Sequence, residues 1–169
     1  IFSKSYFYNF NNQPKKILTK KISNRILSKA SNLILKSSQP VAVIGSQIIN
    51  QKEDIPYLIQ NFKKLGIPVY LSSSARGLFS DDYSLQYYHN RSKALREADL
   101  ILLIGITCDF RLDYGKVLNK KAKIISVNLN KKALYLNQPV FWKANLSIWG
   151  DPTYFINNLD TEYIPKNRV

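Results

Sequence analysis

The stretch LILLIGITCDFRLDYGK, residues 100–116, concentrates the reactive side chains of this chain. After an apolar run and Gly105 come Cys108, Asp109, Arg111 and Asp113, with Phe110 and Tyr114 interleaved. A cysteine attacks only as a thiolate, and a cation such as Arg111 is the kind of neighbour that stabilises one. The competing reading is a small side chain packed at a strand end. Asp109 and Asp113 lie four apart, a spacing that would set both carboxylates on one face of a helix. His89 is the only histidine, so a triad or metal centre would have to rest on it, and no GxSxG elbow is present to partner it. By residue type and spacing the chain can bind a ligand, but no convincing catalytic set emerges. Cys108, Phe110 and Tyr114 are expected to pack the loop, with Asp109 and Arg111 bracing it.

Two further segments carry binding chemistry. GSQIIN, residues 45–50, begins as a dinucleotide fingerprint would, but GxGxxG needs glycines where the backbone must approach a pyrophosphate. Here Gly45 stands alone, followed by Ser46 and Gln47, so a simple turn and a degraded phosphate loop are both open. SSSARGLFSDD, residues 72–82, offers hydroxyls and Arg76. An arginine there can meet a phosphate or carboxylate with two parallel hydrogen bonds. The same loop also reads as plain surface, with Asp81 and Asp82 satisfying nearby bases.

The elements that must position these groups follow from periodicity. Ile22, Ile26, Ala30, Leu33 and Ile34 form a helical stripe, which ends before Pro40 because proline disfavours helix in the residue preceding it. PVAVIG then reads as a buried strand. Ile55, Leu58, Ile59, Phe62 and Leu65 mark a second helix stopped by Gly66, and IPVYL the next strand. Residues 91–98 form a short helix before DLILLIG, and KAKIISVNLN and NLSIWGD supply further strands. Asp151 and Pro152 fit the N-cap and first position of a last helix.

Strands that are continuous apolar runs, separated by helices, are buried on both faces. The expectation is a doubly wound, mainly parallel α/β sheet of about six strands with helices on both faces. Such sheets bind ligands beyond the carboxyl ends of the strands, where the strand order switches. The positions to inspect are therefore 45–47, 72–77, 105–109, 128–130 and 150–151.

The 169 residues, 45% of them hydrophobic, suit one domain that holds a core without disulfides. A single cysteine cannot bridge internally or build a zinc site. No run reaches the roughly 18 apolar residues of a membrane span. The chain has no methionine and begins at Ile1, which reads as a piece excised or processed from something longer. The net charge of +14 can signal a nucleic acid or an anionic membrane. The lysines, however, fall in scattered pairs, and with the abundance of Asn, Ile and Tyr they also fit a genome rich in A and T codons.

The ordered series PVAVIG, LGIPVYLSSSARGLF, NRSKALREADLILLIG, CDFRLDYGKVL, KIISVNLN, FWK and GD resembles the central domain of thiamine-diphosphate-dependent enzymes. That family includes acetolactate synthase, oxalyl-CoA decarboxylase and 2-hydroxyacyl-CoA lyase. Within it the likeness is strongest to the animal acetolactate-synthase-like members, regarded as 2-hydroxyacyl-CoA lyases of the endoplasmic reticulum. The likeness covers roughly residues 26–155.

It implies a Rossmann-like, DHS-type nucleotide-binding fold over 22–160. Residues 1–21 would be a linker or docking arm, and 161–169 the start of a linker to a missing domain. It also implies a three-domain parent, in which outer domains hold thiamine diphosphate and magnesium through an activating glutamate and a GDG-to-asparagine motif. Neither motif occurs here, so this fragment is expected to be inactive alone, with a structural role between the catalytic domains.

For cofactor binding, the resemblance points to Gly45, Ser46, Gln47, Arg76, Arg91, Thr107, Asn128, Asn130 and Asp151. Gly45 matches the turn after the first strand, whereas Ser46 and Gln47 replace its remaining glycines. Thr107 stands where many relatives carry arginine, and Asn128-Leu129-Asn130 where many read DID. Arg91-Ser92 matches an RS of the CoA-using members, and Gly150-Asp151 the closing GD. The pocket is thus partly preserved: FAD is not expected, and ADP or the adenine end of CoA remains a candidate.

The function this implies is the non-catalytic centre of a thiamine-diphosphate-dependent C–C lyase, of 2-hydroxyacyl-CoA or acetolactate-synthase-like type. The alternative is an adenine-nucleotide-binding or purely structural scaffold without catalysis; nucleic-acid binding ranks last. The implied partners are the other two domains and, for the full-length protein, further copies of itself. By resemblance the parent would sit at the endoplasmic reticulum membrane, with any anchor before Ile1.

Overall fold

The computed structural model describes residues 21–50, 55–79 and 84–160. Residues 1–20 of the arm expected at 1–21, the linker expected at 161–169 and the acids Asp81 and Asp82 lie outside the described residues. Five strands build the sheet: β1 (Pro40–Ile44), β2 (Val69–Leu71), β3 (Leu100–Ile104), β4 (Lys123–Asn128) and β5 (Leu146–Trp149). Their order is β2-β1-β3-β4-β5, and every pairing is parallel. Beyond β2, Gln86 forms an isolated parallel bridge with Val69. The backbone there donates from Val69 N–H to Leu85 O at 2.8 Å and from Tyr87 N–H to Val69 O at 2.9 Å. This bridge is the sheet's only extension past five strands among the described residues.

The helices are α1 (Asn24–Lys36), α2 (Ile55–Leu65), α3 (Arg91–Glu97), the single turn α4 (Lys131–Leu134) and α5 (Pro152–Asn157). All five residues of β1 and all five of β3 are buried, as strands covered on both faces must be. Because successive strand side chains alternate, each strand feeds two cores. Ala42, Ile44, Leu102, Ile104, Ile125 and Val127 pack with α1, α2 and α5. Val41, Val43, Ile101 and Leu103 pack with Leu95 of α3, Cys108, Leu112 and Trp142. Each fully buried Leu or Ile side chain contributes about 1.5–3 kcal/mol relative to exposure. The two faces are therefore held by many similar increments rather than by one contact.

The helical stripes are where the periodicity places them. In α1 the buried line is Leu27, Ala30 and Ile34, flanked by half-buried Ile26 and Leu33. In α2 it is Leu58, Phe62 and Leu65, and Phe62 meets Phe79 edge-on with ring centroids 5.5 Å apart.

Two local expectations are overturned. Asp109 and Asp113 share no helix face, because residues 110–115 form a kinked 3-10 segment. Within it Asp113 (φ 47°) and Tyr114 (φ 55°) take left-handed backbone, which redirects the side chains. For the same reason Phe110 (72% exposed) and Tyr114 (46% exposed) do not pack the loop. Cys108 does pack there, as expected, together with Leu112.

Candidate functional site

The chain leaves β1 towards β2 on one side, while β3 lies on the other, so the switch in strand order falls between β1 and β3. The ends of these two strands touch. Gly45 N–H donates to Ile104 O at 2.8 Å, and a Cβ on Gly45 would collide with the Gly105 carbonyl oxygen. Only glycine fits at position 45.

Over this junction lies Gln47, in the 3-10 turn Ser46–Ile49. A Cβ on Gly105 would fall 2.9 Å from Gln47 Cβ, so the Gln47 stem runs across the end of β3. Its amide then reaches the end of β4. Gln47 Nε2 donates to Asn128 Oδ1 at 2.9 Å, and Gln47 Oε1 accepts from Leu129 N–H at 2.9 Å. Asn128 is fully buried, as a polar group can be when its bonds are met. Its Oδ1 also accepts from Asn130 N–H at 2.8 Å, and its Nδ2 donates to Ile106 O at 3.1 Å.

The remaining candidates near this junction serve the backbone. Asn130 Oδ1 accepts from Ala133 N–H at 3.1 Å and caps α4. Asp151, 3% exposed, accepts from Thr153 N–H at 2.7 Å and Tyr154 N–H at 3.1 Å, capping α5 with Pro152 at its start. Ser46 is exposed and Thr107 half-buried.

Arg76 and Arg91 lie elsewhere and are brought together. They line a pocket of about 930 Å³ beside the end of β2 and the start of α3, with Tyr70, Gln86, Tyr87, Tyr88, Lys93 and Arg96 among the other lining residues. Four cations thus converge, and no carboxylate is among the described lining residues. Gln86 Oε1 is buried without a hydrogen-bond partner among the described residues, an acceptor whose desolvation is uncompensated. Tyr88 is 70% exposed and offers an open ring face. Burial, then the neighbouring Tyr87, pushes the Tyr70 phenol up against the pull of Arg91. Lys93, Arg96 and the tyrosines were not singled out by sequence reasoning. The available signal was the three-residue spacing of Lys93 and Arg96, which sets both on one helix face.

The pocket wall is braced by the loop after β3. Arg91 Nη2 donates to Arg111 O at 2.6 Å. Arg111 grips Asp109 through Nε (3.0 Å to Oδ1) and Nη2, and donates from Nη1 to Ser73 Oγ at 2.6 Å. The Arg111 hydrogen bonds hold the Asp109 carboxyl below its ordinary range. Arg111 is therefore committed to Asp109 and does not activate Cys108. Burial, then the Asp109 charge, pushes that thiol up to about 12. His89 is exposed, and among the described residues no group of three His, Cys, Asp or Glu side chains could hold a metal.

Against known proteins, residues 27–159 match the family model described as thiamine pyrophosphate enzyme, central domain. The chain is 46% identical to 2-hydroxyacyl-CoA lyase 2 of Xenopus laevis over 119 residues, covering 70% of this chain and 18% of that protein. With its Homo sapiens counterpart it shares 37% over 133 residues, 79% of this chain and 21% of that one. With the acetolactate synthase large subunit IlvG of Mycobacterium tuberculosis it shares 29% over 133 residues, 79% and 23% of the two chains. The chain thus spans about a fifth of the length of the curated relatives it matches. In fold it matches an enzyme isolated from Mycobacterium smegmatis and described as thiamin diphosphate-dependent. That match has a TM-score of 0.65 at 19% identity, over 89% of this chain and 31% of that one.

Proposed function

The chain belongs to the family of thiamine pyrophosphate enzyme central domains, and on that premise we propose that it binds the nucleotide end of a CoA thioester for a 2-hydroxyacyl-CoA lyase. The observation that carries this reading is the pocket of Arg76, Arg91, Lys93 and Arg96. Phosphates are met best by converging guanidinium and ammonium groups. The faces of Tyr87 and Tyr88, which line the same pocket, can stack a base such as adenine. Arg91 is pre-positioned by its bond to Arg111 O, so less side-chain freedom is lost on binding.

The cleavage chemistry belongs to thiamine diphosphate. Among the described residues of this chain no three His, Cys, Asp or Glu side chains converge, and the strongly perturbed nucleophile, Cys108, is an inert thiol. What this domain contributes is orientation: holding a distant anionic handle lowers the entropy cost of placing the reacting end. In the whole protein, catalysis, magnesium binding and self-assembly are proposed to rest on residues outside this chain.

Calorimetric titration of the 169-residue chain with CoA and with dephospho-CoA tests the reading. CoA should bind, dephospho-CoA more weakly, and both less tightly as salt rises. The exposed pair Lys93→Glu and Arg96→Glu should weaken CoA at least about tenfold while leaving the fold intact. Absence of CoA binding, or equal binding by the double variant, would overturn it.

A further inference from the structure

In an open parallel sheet the crevice at the switch in strand order is the default ligand site, because the backbone groups at the strand ends are free to meet a ligand. Here that crevice already has an occupant. We propose that Gln47 is a built-in plug of the switch-point site, a specificity-determining residue that closes it to adenine nucleotides and leaves the cationic pocket as the domain's anion site.

The geometry makes the case in three steps. Gly45 and Gly105 are in direct backbone contact, so no ligand group passes between the ends of β1 and β3. Above them the stem of Gln47 covers Gly105, where a phosphate or ribose would otherwise lie. At the far end, the Gln47 amide takes two hydrogen-bonding partners where β4 ends. It donates to Asn128 Oδ1 at 2.9 Å and accepts from Leu129 N–H at 2.9 Å. One primary amide thus satisfies one acceptor and one donor, the pair that a nucleotide's hydroxyl would need to meet. Asn128 cannot turn towards a ligand without abandoning Ile106 O and Asn130 N–H, and it is fully buried. A ligand entering here would have to displace the Gln47 side chain and replace both of its hydrogen bonds before gaining any of its own.

The plug stands on hydrogen bonds of this chain alone, independently of whether CoA occupies the pocket of Arg76 and Arg91. An amide-resolved NMR titration of the 169-residue chain with ADP reads both sites at once. In the wild-type chain, the Gly45, Gly105, Leu129 and Gln47 side-chain signals should stay unshifted at millimolar ADP. In Gln47→Ala, the Gly45, Gly105 and Leu129 amides should shift with ADP, reporting at least about tenfold tighter binding at that site. Wild-type shifts at the Gln47 cluster would overturn the proposal. So would a folded Gln47→Ala whose cluster ignores ADP. If Gln47→Ala does not fold, the wild-type titration decides. Shifts at Arg91, Ser92 and Lys93 report the cationic pocket separately, so their absence counts against the CoA reading and leaves the plug standing.

Discussion

Cys108 is 1% exposed in the core it shares with Leu112 and Trp142, and its thiol is pushed up to about 12 by burial and then by Asp109. A thiol so held stays protonated near neutrality, and only the thiolate is nucleophilic. Iodoacetamide should therefore leave the folded chain unmodified and label it rapidly in denaturant; fast labelling of the folded chain would contradict the packing. The same shift links stability to pH. From its ordinary value of 9.0 up to about 12, the unfolded chain releases a proton that the folded chain keeps. The stability this contributes is fully present below the ordinary value and is lost as pH rises towards the folded one. Cys108→Ala should flatten the decline in unfolding free energy over this alkaline window, as measured by urea titration. Parallel declines in the two proteins would refute the link.

Among the elements, α5 begins on a single capping side chain. It has six residues, Pro152 at its start, and Asp151 accepting from the Thr153 and Tyr154 amides. Short helices are marginal without tertiary support. That support comes from buried Phe155 and Ile156, and from Thr153 Oγ1 donating to Ile48 O at 3.0 Å. Asp151→Ala should cost about 1 kcal/mol, within a range of roughly 0.5–2, seen as a lower urea midpoint with unchanged slope. An unchanged midpoint would mean that packing alone holds the helix. The 110–115 segment teaches a complementary lesson. Two consecutive residues with positive φ, Asp113 and Tyr114, break the helical reading that the spacing of Asp109 and Asp113 invites, and Phe110 and Tyr114 stand exposed.

For the whole molecule, one influence on stability that belongs to no single contact is the net charge of +14. Excess charge of one sign disfavours the compact state through self-repulsion. The cations are spread over α1, α3 and α4 and beyond, Lys36, Lys93, Arg96, Lys131 and Lys132 among them, all exposed. Raising ionic strength from about 10 mM to about 1 M shortens the screening length from about 30 Å to about 3 Å. The melting temperature should therefore rise with added sodium chloride, by a few degrees. A falling melting temperature over the same range would show that specific ion pairs outweigh the general repulsion.

The sequence by itself determined the architecture. Alternating helical stripes and continuous apolar runs could satisfy burial on both faces only as a parallel, doubly wound sheet, and the Asp151-Pro152 helix start was legible for the same local reason. The ordered motifs likewise carried the family. The disposition of the candidate site was decided only by the tertiary structure. Gly45, Gln47 and Asn128 are up to 83 positions apart in the chain, and the hydrogen bonds that lock them exist only once β1, β3 and β4 lie side by side. Arg76 and Arg91 were legible as cations, but not as two walls of one pocket. Spacing along a chain reports which residues share an element. Which elements meet is settled by the crossover that places β3 beside β1, and so a glutamine that reads as a missing glycine becomes a plug.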